Sequence, residues 1–467
     1  MANVSRRDAF LGAAALAACT PNQISASMRA EPDQLADIAD SVVRPALAQE
    51  GIPGASFVAF DARGRIATRH WGLADREAGR TTTDETIWPI ASITKTLTAT
   101  AAMTLVDRHR VDLDADITTY LRDTDIPPFA GPRITLRRLL SHTAGFDEVR
   151  GRRCTLHDAP EALSHFLNRK LVRIRPAGQL TAYSSYAITV AQQLIEDVAG
   201  GRYEDYVDET VFRPLDMRSA HYVLRESDLA GLAAPYEIGD GRATRREYEF
   251  YITTGASSAC ATTTDMGRFG AALLNHGSGN GARVLSNRVT SEMLRQQATV
   301  HPALPGWSLG FQLDQAGGRW IAEHGGDIGG FASLLTLIPE AGLGFFTVHH
   351  GEGGDLRFRV RSAALARVAP ETPRPPAPHT QSAAYLQDYV GRYRSTLEEF
   401  SQPADPETLF EVAADAGSLS LWGQIWIPVG DDLFVRDDGA RKLGFARDAE
   451  GRVMAVSGGA WRVAVKV

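Results

Sequence analysis

Ser92 and Lys95 stand three residues apart in the stretch PIASITKTLT, Pro89 to Thr98. At helical spacing two such side chains share a face about one turn apart. A helix start also offers free backbone N–H groups and partial positive charge. A serine placed there has a donor for a developing oxyanion and, in the lysine, a neighbouring base. The base works only when the amine is neutral. An ordinary lysine amine has a pKa of about 10.4, so burial and nearby cations must lower it. Ile93, Leu97 and Ala99 supply apolar surroundings. Taken alone, the pair reads better as a serine N-cap followed by a surface lysine.

The lysine is informative in itself. Lysine and arginine total 49, yet Lys95, Lys170, Lys442 and Lys466 are the only lysines. A genome rich in G and C accounts for the bias. Even so, a lysine kept at position 95 stands out, because arginine cannot give up its proton in a protein and a desolvated lysine can.

Two more polar groups follow downstream. RPAGQLTAYSSYAITVAQQ sets Tyr183 and Ser185 ahead of a helical pattern, and EHGGDIGG sets His324, Gly325, Gly326 and Asp327 at the end of a strand-like run. The order Ser-x-x-Lys, Tyr-x-polar, His-x-Gly resembles the serine β-lactamase and penicillin-binding protein superfamily, in its branch of class C β-lactamases, D-aminopeptidases and esterases. LRRLLSHTAGF, FRPLDM, TTTDMGRF and GGFASLLTLIPEAGLG extend the resemblance over about residues 33–368.

The resemblance implies an α/β, β-lactamase/transpeptidase-like fold: an antiparallel sheet flanked by helices, with a mostly helical subdomain. It implies Ser92 as the acylated nucleophile, with Lys95 and Tyr183 sharing proton transfer and Tyr183 held as a phenolate by Lys95. The oxyanion hole would be the backbone N–H groups of Ser92 and Asp327. His324 would hydrogen-bond in the site, and Gly325 and Gly326 would let a substrate chain lie close beside the strand. His142, in LLSHTAGF, reads as a loop-holding residue outside the site. No cofactor and no metal site is expected.

Two positions depart from the family pattern. The second motif usually ends in asparagine, and Ser185 is shorter and cannot offer an amide donor and acceptor together. It could still touch Lys95 or the substrate, directly or through water. The third motif is His-Gly-Gly rather than Lys-Thr-Gly, and a mostly neutral histidine holds a substrate carboxylate poorly. Both changes point away from an efficient β-lactamase. They favour an amidase, peptidase or esterase. A receptor that has lost turnover is the alternative, with a class C-like β-lactamase a second.

The elements that must position these residues are legible in outline. DQLADIADSVVRPALAQEG has helical periodicity ending at Gly51, GASFVAF and IATRHWG read as paired strands, and SITKTLTATAAMTLVDRHR reads as a helix opened by Ser92. Residues 105–255 are dominated by helical patterns and loops. TTTDMGRFGAALLNHG is a further helix, with Thr262 and Asp265 as its capping pair. The runs WSLGFQLD, GRWIAEHG, FASLLTLIP and LGFFTVHHG are strand-like, and DLRFRVRSAALARVA is a closing helix.

Residues 369–380 form a proline-rich linker, and 381–467 hold short β-rich runs split by turn clusters. This tail suggests a small sandwich or barrel, and the resemblance extends to family members that carry a lipocalin-like barrel there.

Bulk properties bound the rest. With 467 residues the chain is long enough for two or three domains. The net charge is −7 and no basic run appears, so nucleic acid is not an expected partner. Cys19, Cys154 and Cys260 form no CxxC and no disulfide framework. MANVSRRDAFLGAAALAAC joins Arg6 and Arg7 to a short apolar run ending at Cys19. This reads as an export signal with a lipobox, followed by a tether over 20–32. The expectation is a periplasmic lipoprotein, touching a membrane only through a lipid on Cys19 and acting on a small molecule or short peptide.

Overall fold

The computed structural model describes residues 31–148, 153–154, 161–223, 226–370, 377, 382–415, 417–460 and 463–467. The arginine pair, the apolar run, Cys19 and most of the linker lie outside the described residues.

The first helix, α1 (Pro32–Glu50), stops at Gly51, whose backbone is left-handed. The run GASFVAF is apolar almost throughout, too continuous for a strand with one wet face. It forms β1 (Gly54–Asp61), buried along its whole length. β2 (Ile66–Asp75) and the two-residue β3 (Arg80–Thr81) follow.

Three helices then build the layer beside the sheet: α2 (Thr94–Asp107), α3 (Ser185–Ala199) and α4 (Thr263–Leu274). α4 opens with the Thr262–Asp265 capping box. The chain returns to the sheet in β4 (Gln312–Ala316), β5 (Arg319–Ile328), β6 (Phe331–Ile338) and β7 (Leu343–His350), and α5 (Leu356–Val368) closes the unit.

The sheet runs in the order β4-β5-β6-β7-β1-β2-β3, antiparallel throughout. Alternation along β1 divides the core. Phe57 and Ala59 pack with α1 and α5 on one face, whereas Val58 and Phe60 pack with the helical layer on the other.

α2 is buried on nearly every face, as suits a segment whose only charges are Lys95 and the terminal Asp107. Its threonines satisfy themselves: the hydroxyls of Thr96, Thr98, Thr100 and Thr104 donate to carbonyls three or four residues earlier.

Residues beyond the linker form a closed eight-stranded barrel: β8 (Gly391–Ser395), β9 (Phe410–Asp415), β10 (Ser418–Leu421), β11 (Gln424–Gly430), β12 (Leu433–Arg436), β13 (Lys442–Arg447), β14 (Val453–Ser457) and β15 (Val463–Lys466). Each strand pairs with its neighbour in sequence, and β8 pairs with β15 to close the ring. Closure leaves no sheet edge. Tyr389, Tyr393, Phe434 and Phe445 fill the interior.

The barrel docks on the first unit through defined contacts. Asp147 accepts hydrogen bonds from the backbone of Phe400 at 2.8 Å and of Ser401 at 2.7 Å. Leu180 packs against Ala455 and Val463.

Candidate active site

Ser92 sits in a short 3-10 turn, Ala91–Ile93, and α2 proper begins at Thr94. The expected helix start is thus a tighter turn placed just ahead of the helix. Ala91 has φ +50, the left-handed region that costs a non-glycine residue roughly 1–2 kcal/mol. The turn is pinned on both sides. Thr94 Oγ1 donates to the Ala91 carbonyl and accepts from Ala259 N, while Ile90 N donates to the Ala259 carbonyl.

Lys95 is fully buried, and its Nζ donates to Ser92 Oγ at 3.0 Å and to the Ala256 carbonyl at 2.8 Å. Burial drives its pKa down to about 7, against the carboxylate of Glu148, which holds it up. The amine is therefore neutral in a sizeable fraction near neutral pH.

Tyr183 lies just before α3, with Lys95 Nζ 4.9 Å from its ring centroid. Burial pushes its phenol well above the ordinary range, and the hydroxyls of Ser92 and Ser185 pull only partly the other way. The sequence leads to the expectation of a phenolate, whereas loss of hydration, the largest influence on this hydroxyl, favours the neutral phenol.

Two aromatic side chains wall it in. The His142 ring is 4.7 Å from Tyr183 and the Trp307 ring 5.8 Å. His142 Nδ1 accepts from Ser184 N at 3.1 Å and holds the turn that carries Tyr183, so it serves the loop and makes no hydrogen bond to Ser92.

Ser184 caps α3 through Ala187 N, and Ser185 is the first residue of that helix. The Ser185 amide donates to Glu148 Oε2 at 2.6 Å. Its hydroxyl is turned to Tyr183. Glu148 was not singled out from the sequence; its one visible signal is an acidic pair, Asp147-Glu148, directly after the HTAGF phrase.

His324 is buried on β5 with its ring 6.1 Å from Tyr183. Burial, with Lys95 nearby, drives its pKa down to about 3, so the ring is neutral. Nδ1 donates to the Gly325 carbonyl at 2.7 Å, which leaves Nε2 as an acceptor. The site thus has no cation where the family pattern places a lysine.

The two glycines differ in purpose. A Cβ on Gly326 would lie 2.3 Å from the Ile90 carbonyl oxygen and 3.1 Å from Ala91 Cβ, so this glycine lets the Ser92 turn approach the strand. A Cβ on Gly325 would meet only the Ser333 carbonyl oxygen, at 3.9 Å, an ordinary contact, so no steric demand for glycine acts here.

The carboxylate of Asp327 turns away from His324 and pairs with Arg357 of α5 at 2.7 Å. Arg357 also donates to the carbonyls of Gly326 and Ser333, clamping the strand from behind. On its other side β4 reaches only as far as the Gln312–Glu323 pair. Among the described residues, no strand covers the edge of β5 from His324 to Ile328.

The structure therefore brings Ser92, Lys95, Tyr183, Ser185 and His324 into one cluster beside that edge, with Lys95 and His324 buried and the other three half-buried. Cys19 lies outside the described residues.

Comparison with known proteins agrees with this architecture. Esterase EstB of Burkholderia gladioli is 29% identical over 379 residues, which is 70% of this chain and 94% of that one. A D-aminopeptidase of Brucella anthropi is 24% identical over 337 residues, 70% of this chain and 62% of the relative. The crystal structure of SurE superposes with a TM-score of 0.67 at 20% identity, covering 93% of this chain and 98% of that one, and so shares its fold. A family model described as Beta-lactamase matches residues 39–369, a span that contains every member of the cluster. The chain belongs to the β-lactamase family.

Proposed function

We propose that the protein is an exported serine hydrolase that acylates Ser92 and passes the acyl group to water, with ester and amide bonds as its targets. The observation that carries this reading is the buried Lys95 amine, hydrogen-bonded to Ser92 Oγ and poised near neutral pH. The names of the esterase and D-aminopeptidase relatives support the bond classes.

In this reading Ser92 Oγ attacks the substrate carbonyl as Lys95 Nζ takes its proton. The oxyanion is held by the N–H groups of Ser92 and Asp327. The tetrahedral species expels its alcohol or amine, which takes a proton from Lys95 relayed by Tyr183. Water then attacks the acyl carbon as the same base takes its proton, and the base returns that proton to Ser92 Oγ as the acyl–serine bond breaks. A neutral amine beside a neutral phenol favours Lys95 over Tyr183 as the base.

The neutral His324, with Nε2 accepting, argues against tight capture of the carboxylate that β-lactams present. A receptor without turnover is the second reading, favoured by Ser185 in place of asparagine. A fluorophosphonate probe separates the two: the hydrolase labels at Ser92, whereas no label and no ester hydrolysis leaves the receptor.

Lipid attachment at Cys19 is proposed with it. A Cys19→Ser variant that stays processed and membrane-bound refutes the anchor.

A further inference from the structure

We infer that Glu148 is a positioning residue of this site: it takes over, from the far side of the Tyr183 turn, the polar support that the family's asparagine would give at position 185. The inference rests on the reading of Ser92 and Lys95 as the acylating pair.

The Lys95 amine donates to Ser92 Oγ and the Ala256 carbonyl, while the Ser185 hydroxyl is turned to Tyr183 and Glu148. Glu148 occupies that region from another part of the chain. Its Oε2 accepts the Ser185 amide at 2.6 Å, a charge-assisted contact at the start of a helix. The carboxyl is also within hydrogen-bonding influence of the Ser184 and Ser185 hydroxyls, and within electrostatic reach of Lys95, Tyr183 and Tyr186.

The other charged and titratable groups around the pocket are committed elsewhere. Asp147 is engaged by the barrel backbone, Asp327 is paired with Arg357, Glu399 acts on Tyr186, and burial keeps His142 and His324 neutral.

A carboxylate does more than an amide could. It fixes the Tyr183-Ser184-Ser185 turn through one oxygen, and its charge favours the protonated amine. Burial alone would leave Lys95 a weak proton acceptor. Burial lowers the pKa of Lys95 and raises that of Glu148 while each charge favours the other, so the pair is poised to share a proton, as a group that takes one from Ser92 and returns it to the leaving group requires. A purely structural Glu148 would cap α3 and leave Lys95 indifferent to its charge.

Glu148→Gln separates these roles, because its amide oxygen can still accept from Ser185 N while the charge is gone. The full chain has four lysines, so Cε-labelled lysine gives a short NMR spectrum, with Lys95 assigned from Lys95→Arg. In Glu148→Gln the Lys95 signal should titrate at lower pH than in the wild type, and Glu148→Asp should restore it. The acidic limb of kcat/KM should move the same way, with KM little changed. A Lys95 inflection that is unmoved or moves upward overturns the inference. Should Glu148→Gln fail to fold, the wild type decides: two inflections in the Lys95 signal support a coupled pair, and a single one overturns it. The titration needs no turnover, so a protein that labels with no fluorophosphonate refutes the hydrolase reading and leaves the Glu148 result standing.

Discussion

Trp307 donates its indole N–H to the Ala460 carbonyl at 3.0 Å, from the catalytic unit into the barrel, while its ring packs 5.8 Å from Tyr183. One side chain thus joins the C-terminal barrel to the wall of the candidate site. Trp307→Phe removes the donor and keeps most of the ring, and should cost about 1 kcal/mol of stability with kcat little changed. Trp307→Ala also empties the wall. It should cost roughly 3–5 kcal/mol and lower kcat. Denaturant unfolding and steady-state kinetics on the two variants check both. Equal kinetics in both would show that Tyr183 does not depend on this wall.

The second link between the units is Asp147, which accepts two amides of the barrel loop and offsets the buried Arg175, whose own pKa burial lowers to about 10. Asp147→Ala strips both amides of their acceptor and leaves that guanidinium uncompensated. Hydrogen exchange should quicken over residues 396–402 and stability should fall by about 2–4 kcal/mol. Unchanged exchange in that loop would remove Asp147 as a latch.

Lys95 sets the pH behaviour. With a folded pKa of about 7, kcat/KM should rise with pH through an inflection near 7. Lys95→Arg should lose about 10²–10⁴-fold in rate, much as Lys95→Ala does, because arginine keeps the charge and cannot take a proton. Substantial activity in the arginine variant contradicts a lysine base.

Stability follows the same group with a definite sign. Between about 7 and the ordinary 10.5, the unfolded lysine binds a proton that the folded one has released. Stability conferred by residue 95 should therefore rise with pH across that window and fall as pH drops through it. Urea unfolding of the wild type against Lys95→Met, repeated across the window, should show the difference shifting toward the wild type as pH rises. A flat difference refutes the depressed pKa.

Asp327 and Arg357 separate backbone from side chain. Asp327→Ala keeps the main-chain N–H and should retain activity within about tenfold. Arg357→Met releases the clamp on the Gly326 and Ser333 carbonyls, and a strand displaced by an ångström costs on the order of 10²-fold. Kinetics in which Asp327→Ala is the more damaging would place the carboxylate itself in the chemistry.

The contrast between legible and hidden parts has physical causes. Ser92, Lys95, Tyr183 and His324 could be read because each lies in a local phrase with fixed spacing. β1, β6 and β7 were visible because both their faces are covered and their apolar runs are nearly unbroken. Six barrel strands stood out as β-rich runs between turn clusters. β8 and β9 did not, because GRYRS and FEVAAD mix in charge; Arg394 is nonetheless buried, satisfied by Glu398 from the following loop. The turn under Ser92 depends on a left-handed alanine that no propensity favours. The charge state of Tyr183 follows from burial, which spacing does not report. Glu148 escaped because it meets Ser185 across 37 residues of chain, through tertiary structure alone.

The uncovered edge of β5 has a further consequence. A strand edge exposes peptide groups, and peptide groups are the same whatever side chain they belong to. A guest laid along His324–Ile328 would be gripped by features shared by every extended acyl chain, and the edge would act as a generic holder. Discrimination among guests would then fall to the surrounding walls, among them Trp307, which the barrel holds through the Ala460 carbonyl. Chemistry and choice would then rest on different residues, and preference could be rewritten in the walls while Ser92 and Lys95 stay as they are.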